Sequence, residues 1–188
     1  MANATDILRK EHDAILRMLA VAEVTAESLE AESRVAPENL NGLLEFFRLF
    51  ADRCHHGKEE DLLFPALERK GMPRQGGPIG VMLMEHDFGR SLMRQMAESA
   101  EAYAGGDVAA GRRWARAARE YAAMLRQHIE KENNILFVMA ERLLSPAEQE
   151  ELASAFERVE IEKMGAGTHE RLHALMDKLA AELLPSRR

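Results

Sequence analysis

Apolar residues along this 188-residue chain recur at intervals of three and four, and no run alternates apolar with polar between turn residues. That period belongs to amphipathic helices and predicts no strand. Breakers divide the chain into six helices. The first is expected from Thr5 or Asp6 to Glu32, with Ile7, Ile15, Leu16, Leu19 and Val24 on its apolar stripe. Pro37, a residue favoured at the first helical position, opens a second that runs to about Lys70 and should bury Leu40, Leu44, Phe47 and Leu62. Residues 71–78, rich in glycine and proline, form a loop. A Met-rich third helix, from about Ile79 to Ala104, stops at Gly105-Gly106. Asp107 caps a fourth that runs to about Leu144 and holds Trp114, Tyr121 and Leu125. Ser145-Pro146-Ala147-Glu148 has the form of a capping box and opens a shorter fifth helix, ending near Gly165 and Gly167. Thr168 is the expected cap of a sixth that continues to Leu184. Short loops make successive long helices antiparallel neighbours. The fold class is therefore all-α: an up-down-up-down four-helix bundle over residues 1–145, with two additional C-terminal helices, 146–188, packed on the same domain.

Two stretches carry the candidate chemistry. In the second helix His55 precedes Glu59 by four residues, and in the fourth His128 precedes Glu132 by four. Residues four apart on a helix share a face, so each pair aims an imidazole and a carboxylate at one point. Leu63-Phe64 aligns with Leu136-Phe137 only when Glu59 aligns with Glu132. His56 with Glu60 is a second pairing, about 100° around the helix. The repeat favours 55/59, and on that register loss of His56 is expected to leave any bound metal in place. Glu11-His12-Asp13 in the first helix and Glu85-His86-Asp87 in the third complete a two-helix unit that occurs twice. His12 and His55 are 43 residues apart, and His86 and His128 are 42 apart. A pseudo-two-fold axis along the bundle follows. In an antiparallel bundle all six groups sit at similar depth, on the order of 10–20 Å from one end at about 1.5 Å per residue.

Four imidazoles and two carboxylates converging in a bundle interior would leave uncompensated buried charge, which costs several kcal/mol per group unless cations neutralise it. Mixed nitrogen and oxygen donors without thiolate suit iron, manganese or zinc. Two related half-sites suggest two ions. If both glutamates bridge, each ion receives two nitrogens and two oxygens from the chain, which leaves room for solvent and a small molecule. His169 and His173 share a face of the sixth helix and, like His56 and Glu60 of the second pairing, are candidates for an extra ligand or a supporting contact. Tyr121, two turns before His128, is a candidate hydrogen-bond donor near the site. Glu11, Asp13, Glu85 and Asp87 could orient the histidines, and Cys54 reads as a small buried apolar residue.

Composition narrows the setting. Net charge is −7 with acidic and basic residues interleaved, so no basic stripe marks a nucleic-acid partner. A single cysteine excludes an internal disulfide and fits a reducing compartment. No secretory signal pattern and no 18-residue apolar run is present, which makes a cytoplasmic protein the expectation.

The ordered set His12, His55-x-x-x-Glu59, His86, His128-x-x-x-Glu132, with Leu-Phe trailing each pair, resembles the hemerythrin-like (HHE cation-binding) domain over roughly residues 5–145. The resemblance implies a bundle holding a non-haem, oxo- or hydroxo-bridged pair of irons, with manganese or zinc ranked below iron. It makes His12, His55, His86 and His128 terminal ligands and Glu59 and Glu132 bridges. Oxygen-carrying members have a fifth histidine one turn after position 86, where this chain has Arg90. The four-His, two-Glu set is closer to bacterial hemerythrin-like proteins linked to oxidative and nitrosative stress and to iron–sulfur cluster repair. The implied ligands are dioxygen, nitric oxide or peroxide, with peroxidase-, catalase- or nitric-oxide-reducing-type activity and a redox partner as extensions. Iron storage or delivery, or a purely structural metal site, are the alternatives. No acid–base group is assignable from the residues, so turnover stays open.

Overall fold

The computed structural model describes residues 3–165 and 167–184, and among them are six helices and no strand. Helix α1 spans Ala4–Glu30. Helix α2 is continuous over 37–69, with Pro37 in its first turn. Helix α3 spans Pro78–Ala104, and α4 runs over 108–143. Helix α5 covers 146–164, and α6 spans Thr168–Leu183. The predicted stop and start signals act as expected in two places. Asp107 accepts the backbone N–H groups of Ala109 and Ala110 at the start of α4. Ser145 and Glu148 form a reciprocal capping box at the start of α5. At α6 the expectation fails: the cap is Gly167, at φ +80°, and Thr168 is already helical. The chain reverses there through a left-handed backbone that glycine adopts without penalty.

Cross-helix pairs fix the topology. Along α1, His12, Glu23 and Glu30 meet Asn133, Arg126 and Arg119 of α4, so the two helices are antiparallel. Asp52 and Glu60 of α2 meet Arg90 and His86 of α3 in the same descending order. The four long helices therefore run up, down, up, down. Helices α5 and α6 contact α1 and α2. Gly42 on α2 permits close approach of α6, since a Cβ there would lie 3.3 Å from the Leu179 methyls.

The buried apolar residues fall into two separate groups. The larger contains Ile15, Met18, Leu19, Phe47, Trp114 and Tyr121 and reaches Leu179 on α6. The smaller contains Leu8, Leu63, Phe64, Leu136, Phe137 and Phe156. Between them, at one level of all four helices, lies a layer of buried histidines and glutamates. Each fully buried Leu or Phe contributes about 1.5–3 kcal/mol, so the two groups supply most of the driving force. The stripe on α1 is rotated from the one predicted. Leu8, Ile15, Met18, Leu19 and Ala22 are fully buried, while Ile7, Leu16 and Val24 sit at its edges. On α2, Leu62 is only half-buried and Leu63 takes the core position. Two widened turns precede it, and each such turn slips the helical register by one residue. Among the described residues no helix is long and apolar enough to cross a membrane.

Candidate metal centre

The residues of the polar layer come from helices that widen where they reach it. Residues Phe47–His56, Glu59–Leu63 and Glu132–Leu136 adopt π-type turns, with backbone bonds from i to i+5. Such turns are rare and recur at functional sites, because the extra residue re-aims the side chains of a turn. Here they cover His55, His56, Glu59 and Glu132.

All six residues of the repeat are brought together. His12, His55, His86, His128, Glu59 and Glu132 are each no more than 1% exposed. Their donor atoms fall into two clusters. His12, His55, Glu59 and Glu132 form one, and His56, His86, His128 and Glu59 form the other. Glu59 belongs to both: one oxygen lies 3.7 Å from His55 Nε2 and the other 3.5 Å from His86 Nε2. Glu132 likewise reaches His12 Nε2 at 3.2 Å and His128 Nε2 at 3.1 Å. The two carboxylates therefore span the gap between the histidine pairs.

The arrangement demands cations. His12 and His55 face each other Nε2 to Nε2 at 3.0 Å, and His86 and His128 do so at 3.1 Å. Every one of these rings has an acceptor at its other nitrogen. His55 Nδ1 donates to Glu11 at 2.8 Å, His86 Nδ1 to Glu60 at 2.7 Å, and His128 Nδ1 to Glu85 at 2.9 Å. His12 Nδ1 meets the Asn133 side-chain oxygen at 3.0 Å. With the protons held on Nδ1, the Nε2 atoms present lone pairs to one another, and these repel unless a cation sits between them. Two nitrogens about 3.0 Å apart also match adjacent ligands on one ion with bonds of about 2.1 Å. Among the described residues, none of the four oxygens of Glu59 and Glu132 has a hydrogen-bond partner. A buried carboxylate without hydrogen bonds is among the costliest arrangements in a protein, and a bound metal relieves it.

The outer partners obey the same two-fold relation as the inner ones. Glu11, beside His12, orients His55 across the helix interface, and Glu85, beside His86, orients His128. Lys58, just before Glu59, binds Glu11, and Lys131, just before Glu132, binds Glu85. Glu60 and Asn133, each just after a spanning glutamate, serve His86 and His12. Carboxylate–histidine pairs of this kind fix the ring orientation and raise the donor strength of a ligand. Lys58, Lys131 and Asn133 were missed in the sequence, although the repeated Lys-Glu dipeptide was visible in both stretches. Each lysine reads as solvated charge until the fold buries its partner.

Electrostatics follows this wiring. Burial presses Glu132 toward protonation, but His128 and His12 outweigh it and hold its carboxyl well below the usual range. Burial, reinforced by Glu132, pushes Glu59 well above that range. Burial opposes the charge on His128, yet Glu132 and Glu85 raise it to about 9. In metal-free protein a proton thus stands where a cation would. Burial also opposes ionisation of Glu60, and hydrogen bonds from His86 and Arg90 overcome it and lower the carboxyl to about 2. A depressed carboxylate stabilises the fold above its unfolded value and ceases to do so as pH falls through the folded one. In metal-free protein that stabilisation is full above about pH 4.5 and is lost toward about pH 2. Glu60→Gln should remove this part of the acid limb, seen as a shallower fall of the denaturation midpoint between pH 4.5 and 2.

Lys58 is fully buried, bound to Glu11 and to Glu160 of α5, with its ammonium 5.9 Å from the centre of the Phe156 ring. Removing one partner of a buried ion pair costs about 3–5 kcal/mol. Lys58→Met is expected to lose about that much in denaturant unfolding. Lys131→Met, whose ammonium is partly exposed, should lose about 1 kcal/mol or less.

The other candidates fall in different places. His56 points into the second cluster, while Glu60 binds His86 and Arg90 from outside it. Tyr121 is buried against Phe47, ring centres 5.0 Å apart, and its hydroxyl has no hydrogen-bond partner among the described residues. His169 and His173 pack on Phe50, each with ring centres 5.9 Å away, and belong to neither cluster. Asp13 and Asp87, also weighed as orienting groups, point to solvent. Cys54 is buried, and burial pushes its thiol up to about 12, which leaves it a packing residue.

Comparison with known proteins agrees with this geometry. Two proteins described as uncharacterized, from Mycobacterium tuberculosis (strain H37Rv) and Mycobacterium bovis, are each 25% identical to the chain over 177 residues. The match covers 94% of this chain and 68% of each of theirs. Residues 3–140, which hold both histidine–glutamate pairs and all four bundle helices nearly to their ends, match the hemerythrin HHE cation-binding domain. The chain therefore belongs to the hemerythrin HHE family and carries that family's cation-binding site.

Proposed function

We propose that this is a non-haem di-iron protein that binds dioxygen, nitric oxide or peroxide, in the setting of oxidative or nitrosative stress. The observation that carries the reading is the pair of donor clusters that share a glutamate inside a sealed layer. His12 and His55 would hold one iron, His86 and His128 the other, with Glu59 and Glu132 reaching both. Two irons there supply electrons and open coordination for a small oxidant. The chain's own residues do the rest. Glu11, Glu60, Glu85 and Asn133 fix the imidazole planes. Against the effect of burial, hydrogen bonds from His86 and Arg90 lower the Glu60 carboxyl and those from His128 and Lys131 lower that of Glu85. At Glu11 burial outweighs Lys58 and raises it. The apolar groups above and below keep bulk water away, so only small molecules fit. A cytoplasmic setting accords with the single buried cysteine.

The test mixes the ferrous protein separately with dioxygen, peroxide and nitric oxide and follows the visible spectrum. A stable, reversible change with dioxygen supports a carrier or sensor. Continuous consumption of peroxide or nitric oxide supports an enzyme acting with a redox partner. No spectral change with any of the three, in protein shown to hold two irons, would overturn the reading. Loss of the irons to a weak chelator within minutes would point instead to storage or delivery.

A further inference from the structure

The chain has 7 histidines, and five of them lie in the sealed layer, none more than 3% exposed. The other two, His169 and His173, sit four residues apart on α6 and are half-buried. Helix α6 gives no donor to either cluster of the centre, so this pair has no part in the site described above.

The geometry of the pair nevertheless repeats that of the inner ones. The rings of His12 and His55 have centres 4.6 Å apart and planes inclined by 61°, and those of His86 and His128 stand at 4.8 Å and 63°. His169 and His173 stand at 4.6 Å and 57°. Two imidazoles bound to one ion at about 90°, with bonds of about 2.1 Å, hold their ring centres at about this separation. Parallel stacked rings turn their in-plane lone pairs away from any common point, whereas rings inclined this far let them converge. The spacing is also the one at which two histidines on a single helix face chelate zinc.

The surroundings favour a cation that is open to solvent. Phe50 backs both rings, its centre 5.9 Å from each. Among the described residues neither ring has a hydrogen-bond partner. The outer torsion of a histidine is broad, so a half-exposed ring turns at little cost to meet an ion. Burial and the neighbouring His169 lower the pKa of His173, which keeps its ring in the neutral, ligating form. Asp177 and Glu170 lend that ring negative potential. Arg17 opposes them and is itself bound to Asp177 at 2.7 Å.

We propose that His169 and His173 form a further, solvent-facing site for one divalent transition cation of the kind that imidazole prefers, such as nickel, copper or zinc, with water completing the coordination. The site is independent of the buried centre, because the two share no donor. An ion there exchanges with solution without any opening of the bundle.

The test dialyses untagged protein, as purified, against micromolar Ni2+ and reads the nickel and iron bound per chain by elemental analysis. Wild type should take up one nickel more than the double variant His169→Gln/His173→Gln, whatever metal the centre holds. Each single variant should weaken that uptake at least about 10-fold, the low end of what loss of even an outer partner costs a metal site. Equal nickel uptake by wild type and double variant would overturn the proposal. Iron content should be the same in all four proteins, which keeps a failure here apart from a failure of the two-iron reading. Iron that falls in the double variant would assign the pair to the centre and would also overturn the proposal. Anomalous scattering from a Ni2+-soaked wild-type crystal needs no variant. Nickel between the two rings is expected, and nickel bound only elsewhere would overturn the assignment.

Discussion

Glu132→Ala is expected to reduce the metal content of protein purified without chelator from close to two ions per chain to below one. Glu132 touches both histidine pairs, at 3.2 Å from His12 and 3.1 Å from His128. Its removal takes one oxygen from each position at once and leaves four imidazoles facing a single carboxylate. Losing a direct ligand should exceed the about 10–100-fold fall in affinity that follows loss of an outer partner. Asp13→Ala is the matched control, since Asp13 adjoins His12 in sequence but points to solvent. Elemental analysis of both variants decides the matter, and two ions retained in Glu132→Ala would mean that the carboxylate does not hold the metals.

Stripping the metal with a strong chelator should lower the thermal midpoint by on the order of 20 °C. An ion present at about 1,000 times its dissociation constant stabilises the native state by about 4 kcal/mol, and two ions by about twice that. For a chain of this size about 1 kcal/mol corresponds to roughly 2–4 °C. Part of the loss is offset by protonation, because His128, raised to about 9, carries a proton at neutral pH beside Glu132. The offset disappears as pH rises through 9, so the gap between loaded and stripped protein should widen from pH 7 to pH 10. Calorimetry of both forms at the two pH values provides the check.

Much of this molecule is legible in its sequence. Helix ends sit where Pro37, Asp107, Ser145 and the glycine pairs direct them, since capping and φ preferences are local. The residues His12, His55, Glu59, His86, His128 and Glu132 could be set at one level because helical rise converts matched intervals into matched depth. What was not legible depends on the backbone leaving its ideal period. The widened turn over Phe47–His56 cannot be inferred from residue types, yet it decides that His56 faces inward and that Leu63, not Leu62, enters the core. The ammonium groups of Lys58 and Lys131 were hidden for another reason. A lysine is a solvated charge by default, and only tertiary burial of Glu11 and Glu85 turns it into a necessary counterion. His169 and His173 share a helix face as their spacing requires, but nothing local tells which neighbour that face meets, and it meets Phe50.

The layer of charge through the middle of the bundle also has a kinetic meaning. Leu8, Phe64, Phe137 and Phe156 on one side share no apolar contact group with Phe47, Trp114 and Leu179 on the other. The four rods thread both sides, and at that height the histidine–carboxylate tier, with its lysine and arginine partners, ties them together laterally. With cations present the molecule should open as one unit. Without them each half becomes its own foldon, and native-state amide exchange should resolve two opening free energies along the same helix. The lower would belong to the smaller half, which includes the start of α1 and the end of α4.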